Sequence, residues 1–177
     1  MKTLNRVFLS LGSNIEKELN LPAAVRMLRS KGEVVAASSV YETAARWLEE
    51  QPNFFNAAVL METEFTPEEI KKQLIDEVEK RLKRQRQAEK NAPRTIDIDI
   101  ALFNDAVLDY VPDDGQPRHI PDPDLLRSVH AIVPVAELAP GLLHPESGEQ
   151  LDAIAARLMA QADEDLIWLR EDISLGE

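Results

Sequence analysis

Ile96, Ile98 and Ile100 alternate with Asp97 and Asp99, a period-two pattern that fits a strand with one buried face and one polar face. Such a strand needs a layer to pack against on its isoleucine side. Its two carboxylates then leave the opposite face together, about 7 Å apart. Two ionised carboxylates that close repel each other unless a positive charge lies between them. Hard oxygen ligands suit Mg²⁺, which takes one or two protein carboxylates and completes its octahedron with phosphate oxygens and water. Taken alone, the same spacing also describes a solvated strand face.

The segment leading into this strand carries Lys80, Arg81, Lys83, Arg84, Arg86, Lys90 and Arg94, opposed only by Glu89, in a chain whose net charge is −12. A basic run entering an acid pair is the layout expected where a phosphate chain is clamped between guanidinium groups and Mg²⁺. Complementing a helix dipole would account for Lys80 to Lys83, but not for Arg94, which follows Pro93 beside the carboxylates. The acidic balance argues against binding long nucleic acids, which requires a broad basic surface. With no cysteine, thiolate metal sites and thiol nucleophiles are excluded. The apolar run after Arg6 is too short for a signal core or a membrane span, so a cytoplasmic setting is expected. At 177 residues one domain over 1–177 is expected.

Elsewhere the patterns predict strands over 7–11, 34–41, 54–64 and 95–103, with helices over 16–30 and 66–82. Thr66-Pro67-Glu68-Glu69 reads as an N-cap with proline in the first turn and acids behind it. Strand, helix, strand, strand, helix, strand is the ferredoxin-like βαββαβ order, an α+β sandwich with helices on one face. The stretch 104–123 reads as irregular, short extra helices are expected over 131–138 and 148–160, and 164–172 is ambiguous in type.

Four segments together carry a resemblance: Leu11-Gly12-Ser13-Asn14, Gln51 to Val59 (QPNFFNAAV), Pro93 to Ile100 (PRTIDIDI) and Glu137-Leu138-Ala139-Pro140. In that order they resemble the 6-hydroxymethyl-7,8-dihydropterin pyrophosphokinase family, which moves pyrophosphate from ATP to a pterin alcohol in folate biosynthesis. The resemblance covers roughly residues 5–160. It implies two Mg²⁺ ions on Asp97 and Asp99, a mobile loop over about 83–94, and Arg84 and Arg94 as the catalytic arginines gripping the phosphates. It further implies Glu79, Arg86 and Ile100 on the nucleotide side, with Thr43, Phe54 and Asn56 around the pterin. A monomer or weak dimer acting on small molecules, with no nucleic-acid or membrane partner, is expected.

The chain departs from the family pattern at several positions. Lys83, Asn91 and Ala92 replace the usual Gly, Trp and Gly. Asp122 stands in a Pro-His-Pro motif, and Ser128 and His130 replace Arg and Phe. Arg118 and His119 are candidates to supply the missing nucleotide contacts, and His130 to stack where the Phe is lost. Two rivals stay open: a non-catalytic pterin- or nucleotide-binding paralogue, and a two-metal polymerase-type palm.

Overall fold

The computed structural model describes residues 2–45, 50–86 and 92–176. The expected loop over 83–94 therefore falls partly outside the described residues, as do Lys90 and Asn91. The central sheet runs in the order β5 (Asp97–Phe103), β1 (Asn5–Ser13), β4 (Phe54–Thr63), β3 (Val40–Thr43), β8 (Ile167–Arg170), with β2 (Glu33–Ala37) also on β4. All of its pairings are antiparallel. Placing β5 beside β1, and β1 beside β4, is the ferredoxin-like order, and the helices between them are α1 (Lys17–Lys31) and a helix over 67–81.

Alternation along the strands assigns the two faces. Leu9, Leu11, Phe55, Ala57, Val59, Ile96, Ile98 and Ile100 join Leu21, Val25 and Leu28 of α1 and Ile70, Leu74 and Val78 of the second helix in one buried cluster. Each fully buried isoleucine or leucine there contributes roughly 1.5–3 kcal/mol. The second helix starts on a capping box: Glu69 N–H donates to Thr66 Oγ1, and Thr66 N–H donates to Glu69. It comprises α2 (Pro67–Glu69), a π-helical segment Ile70–Ile75, and α3 (Asp76–Arg81).

Three expectations are corrected. The strand expected over 34–41 is two strands, because Ser38 and Ser39 divert its hydrogen bonds. Ser38 Oγ accepts from Ala58 N–H, and Ser39 donates twice to the Glu137 carboxylate. The stretch 104–123 contains a short hairpin, β6 (Leu108–Tyr110) paired with β7 (Arg118–Ile120). Helices also cover both faces of the sheet rather than one. α4 (Val129–Leu138) and α5 (Leu151–Gln161) bury Ala131, Ile132, Val135, Leu151 and Ile154 against Phe8, Ala58, Leu60, Ala101 and Leu102. The ambiguous C-terminal stretch supplies β8, which pairs with β3.

Candidate active site

The site grows out of one row of residues across the sheet. Gly12 of β1 pairs with Asp97 on one side and Asn56 on the other, while Ser10 pairs with Asp99 and Ala58. Directly opposed residues of antiparallel strands project to the same face. Asp97, Asp99, Asn56 and Phe54 therefore share a floor whose middle, Gly12, has no side chain. This floor and α4 bound a cavity of about 650 Å³ lined by Thr43, Phe54, Asn56, Arg94, Asp97, Asp99, Arg127, Ser128 and His130 among others. Its size lies within the roughly 300–1,000 Å³ range of small-molecule sites. The Asn56 amide nitrogen donates to Thr43 Oγ1 at 2.9 Å and to the Tyr41 carbonyl at 3.2 Å. Those bonds leave its oxygen to face the cavity as an acceptor.

At the loop end, charges are tightly interlocked. Arg84 Nη1 donates to Glu79 at 2.7 Å and to Asp97 Oδ1 at 2.6 Å, while Arg94 Nη1 donates to Asp97 Oδ2 at 2.8 Å. Arg86 reaches Glu79 at 3.5 Å. Glu79 is buried and also accepts from Ile98 N–H, which ties the second helix to β5. Burial pushes the Glu79 carboxyl up, with Arg84 and Lys71 opposing. Burial would raise Asp97 too, but the two guanidinium groups outweigh it and hold its pKa below the usual range. Asp99 has no hydrogen bond or salt bridge among the described residues. Burial first, then the like charges of Asp97, Asp122 and Glu79, push it well above the ordinary carboxylate range. Arg94 also lies over the Phe54 ring, 6.0 Å from its centroid.

A second cavity, of about 320 Å³, opens along the outer edge of β5 and is lined by Lys71, Ile75, Ile98, Asp99, Ile100, Tyr110, Arg118 and His119. Asp99, Asp122 and Asp124 line both cavities, so the two meet at a wall of carboxylates. A bulge in β5 positions that wall: Ala101 and Leu102 both fall on the α4 face, and the Ala101 carbonyl accepts from Asp122 N–H. Burial raises Asp122 to about 6. Arg118 is paired with Asp114 at 2.9 Å, and His119 is held between Asp109 at 2.7 Å and Glu146 at 2.6 Å.

Thr43, Phe54, Asn56, Arg94, Asp97, Asp99 and His130 line the larger cavity, Asp99, Ile100, Arg118 and His119 line the edge cavity, and Glu79, Arg84 and Arg86 belong to the charge network. His130, on α4, lines the larger cavity and keeps part of its surface exposed. Surrounding protein lowers its imidazole pKa, against the pull of Asp124 and Asp97. Sequence reasoning did not assign roles to Lys71, Asp122, Asp124 or Arg127. Arg127 lies one position before Ser128 and is bonded to Asp124 at 2.7 Å, so a guanidinium is present near the place where the family pattern has lost one.

The donor set fits a hard divalent cation. Asp97 and Asp99 offer only oxygens, Asp99 is unbonded, and the surrounding acids need neutralising. Among the described residues no group of three or more histidine or acidic side chains is placed to hold a metal ion; Mg²⁺ takes one or two protein carboxylates and completes its shell with phosphate oxygens and water. The buried Arg84 Nε lacks a partner among the described residues, a spare donor beside the same carboxylates. No described helix is long and apolar enough to cross a membrane.

Comparison with known proteins gives a consistent result. The 7,8-dihydro-6-hydroxymethylpterin-pyrophosphokinase (HPPK) family pattern matches residues 8–140. The 2-amino-4-hydroxy-6-hydroxymethyldihydropteridine pyrophosphokinase of Aquifex aeolicus is 33% identical over 78% of this chain and 83% of its own length. The Bacillus subtilis protein of that name is 30% identical over 89% of this chain and 92% of its own. The folic acid synthesis protein FOL1 of Dictyostelium discoideum is 30% identical, but the chain spans only 20% of its length. Among solved structures, Plasmodium falciparum HPPK-DHPS with pteroate superposes with a TM-score of 0.70 at 13% identity, over 91% of this chain and 43% of that one. That likeness shows the shared fold.

Proposed function

The chain belongs to the 7,8-dihydro-6-hydroxymethylpterin-pyrophosphokinase family, and on that premise we propose that it transfers pyrophosphate from ATP to the hydroxymethyl group of 6-hydroxymethyl-7,8-dihydropterin. The acceptor oxygen bonds to the β-phosphorus with loss of the hydroxyl proton, the bond from that phosphorus to the α–β bridging oxygen breaks, and AMP leaves. The observation that carries this reading is the pair of cavities meeting at Asp99, with Arg84 and Arg94 both bonded to the neighbouring Asp97.

In this reading the nucleotide lies in the edge cavity beside Ile100, Arg118 and His119, with Glu79 and Arg86 flanking its phosphates. The pterin lies over Gly12, where Phe54 offers a ring face and Asn56 Oδ1 an acceptor, with Thr43 fixing the amide. His130 closes the opposite side of that slot. Two Mg²⁺ ions on Asp97 and Asp99 would neutralise the phosphate oxygens that must approach these carboxylates. Arg84 and Arg94 transfer their hydrogen bonds from Asp97 to the migrating group and its leaving oxygen. Phosphoryl-type transfer depends on such positioning and charge stabilisation rather than on a covalent intermediate.

Incubation of the protein with ATP, Mg²⁺ and the pterin alcohol tests the reading. AMP formation that depends on the pterin is expected. Tight pterin binding with no AMP would instead support the non-catalytic paralogue, with Asp122 and His130 as the departures to revert first.

A further inference from the structure

Lys71 is only 5% exposed, although its side chain ends in a charge. It falls at the wide turn of the second helix, where Asp76 N–H donates to the Lys71 carbonyl five residues back instead of the four-residue step of an α-helix. The same Asp76 also accepts from the Lys71 ammonium. Wide turns of this kind are rare and concentrate at functional sites. The ammonium charge bears on the carboxyls of Glu79, on the same helix, and of Asp114, between β6 and β7. Lys71 lines the edge cavity beside the side chains of Ile75, Ile98, Ile100 and Tyr110, with Asp99, Arg118 and His119 on the same lining, and the first four offer a flat base an apolar face.

An ammonium has three donors and no acceptor, and Asp76 takes one of the three. We propose that Lys71 sets the base preference of this cavity by donating to the ligand's base, widening acceptance from adenine to purines that carry a carbonyl at C6. The contrast is chemical: a 6-carbonyl accepts from an ammonium, whereas the 6-amino group of adenine presents another donor. The inference rests on the edge cavity holding the nucleotide.

ATP and inosine triphosphate differ at C6, amino against carbonyl, and their Mg²⁺-dependent binding in the absence of pterin provides the test. Wild-type protein is expected to bind the two within about threefold of each other. Lys71→Met should weaken inosine triphosphate about tenfold, the scale of one hydrogen bond to a charged group, and ATP far less. Lys71→Arg, which keeps a donor, should retain the carbonyl purine. Purine riboside triphosphate, with hydrogen at C6, probes the same contact without substitution and should bind wild type about tenfold more weakly than inosine triphosphate. Equal weakening of both nucleotides by Lys71→Met, or no change in either, overturns the base-selecting role while leaving the nucleotide cavity in place. Failure of wild type to bind any of them removes the cavity assignment and this inference with it.

Discussion

Arg94 Nη1 is hydrogen-bonded at 2.8 Å to Asp97 Oδ2, three residues along the chain, so a carboxylate suited to a metal is already neutralised by an arginine suited to a phosphate. Arg84 holds the other oxygen. The two functions compete for the same atoms until a phosphate chain draws the arginines away.

Free divalent cation should therefore bind weakly without nucleotide. Arg94→Met is expected to tighten Mn²⁺ binding to the nucleotide-free protein about tenfold, as expected when a short charge-assisted bond no longer competes, while lowering turnover. Titration followed by Mn²⁺ spectroscopy reads the first effect. Unchanged affinity in Arg94→Met, alongside loss of binding in Asp97→Asn, would show that the arginine does not guard the carboxylate.

Asp99 is the unbonded member of the acid cluster, pressed by Asp97, Asp122 and Glu79. With chelator present and no cation bound, Asp99→Asn should raise Tm by relieving that repulsion. Turnover should fall by at least about a hundredfold, the scale of removing one group that stabilises developing charge. A lowered Tm would mean that the carboxylate is structurally required.

At Gly12 an added Cβ would meet Asn56 Oδ1 at 3.6 Å and Phe54 at 4.0 Å, ordinary contact distances. Gly12→Ala should fold normally. Gly12→Val projects further into the floor between Asn56 and Asp97 and should weaken pterin binding about tenfold or more, with nucleotide binding little changed. Equal weakening of both ligands would argue that the substitution distorts β1 instead.

The His119 bridge between Asp109 and Glu146 gives a pH dependence. Its hydrogen bonds to Glu146 and Asp109 raise the imidazole pKa above 6.5. A raised histidine pKa stabilises the fold fully below the unfolded value and loses that contribution as pH rises through the folded value. His119→Gln should therefore lower Tm more at pH 6 than at pH 8.5. The difference should be small, because the pair is largely exposed. A penalty that is independent of pH would leave packing, not charge, as the role of this side chain.

The sequence by itself determined the elements whose signals are local. The isoleucine–aspartate alternation names both the buried and the chemical face of β5, the Thr-Pro-Glu-Glu N-cap pattern at 66–69 marks the start of a helix, and the two-residue spacing of Phe54 and Asn56 puts them on one face. The basic run contained both arginines that the structure bonds to Asp97. What it did not show depends on contacts between distant segments. Whether the apolar residues of α4 and α5 covered the open sheet face or extended the first layer is decided by packing against Phe8, Ala58 and Leu60, not by their own periodicity. The 167–170 segment becomes a strand because β3, more than 120 residues earlier, offers it a free edge. Long separation is no bar, since loop-closure cost grows only logarithmically with length. Lys71 and Asp122 join the site for the same kind of reason. One turns into the cavity at a wide helical turn, and the other is hung by its backbone on a bulge in β5. Side-chain type and spacing do not encode either position, because each is set by where two packed elements meet.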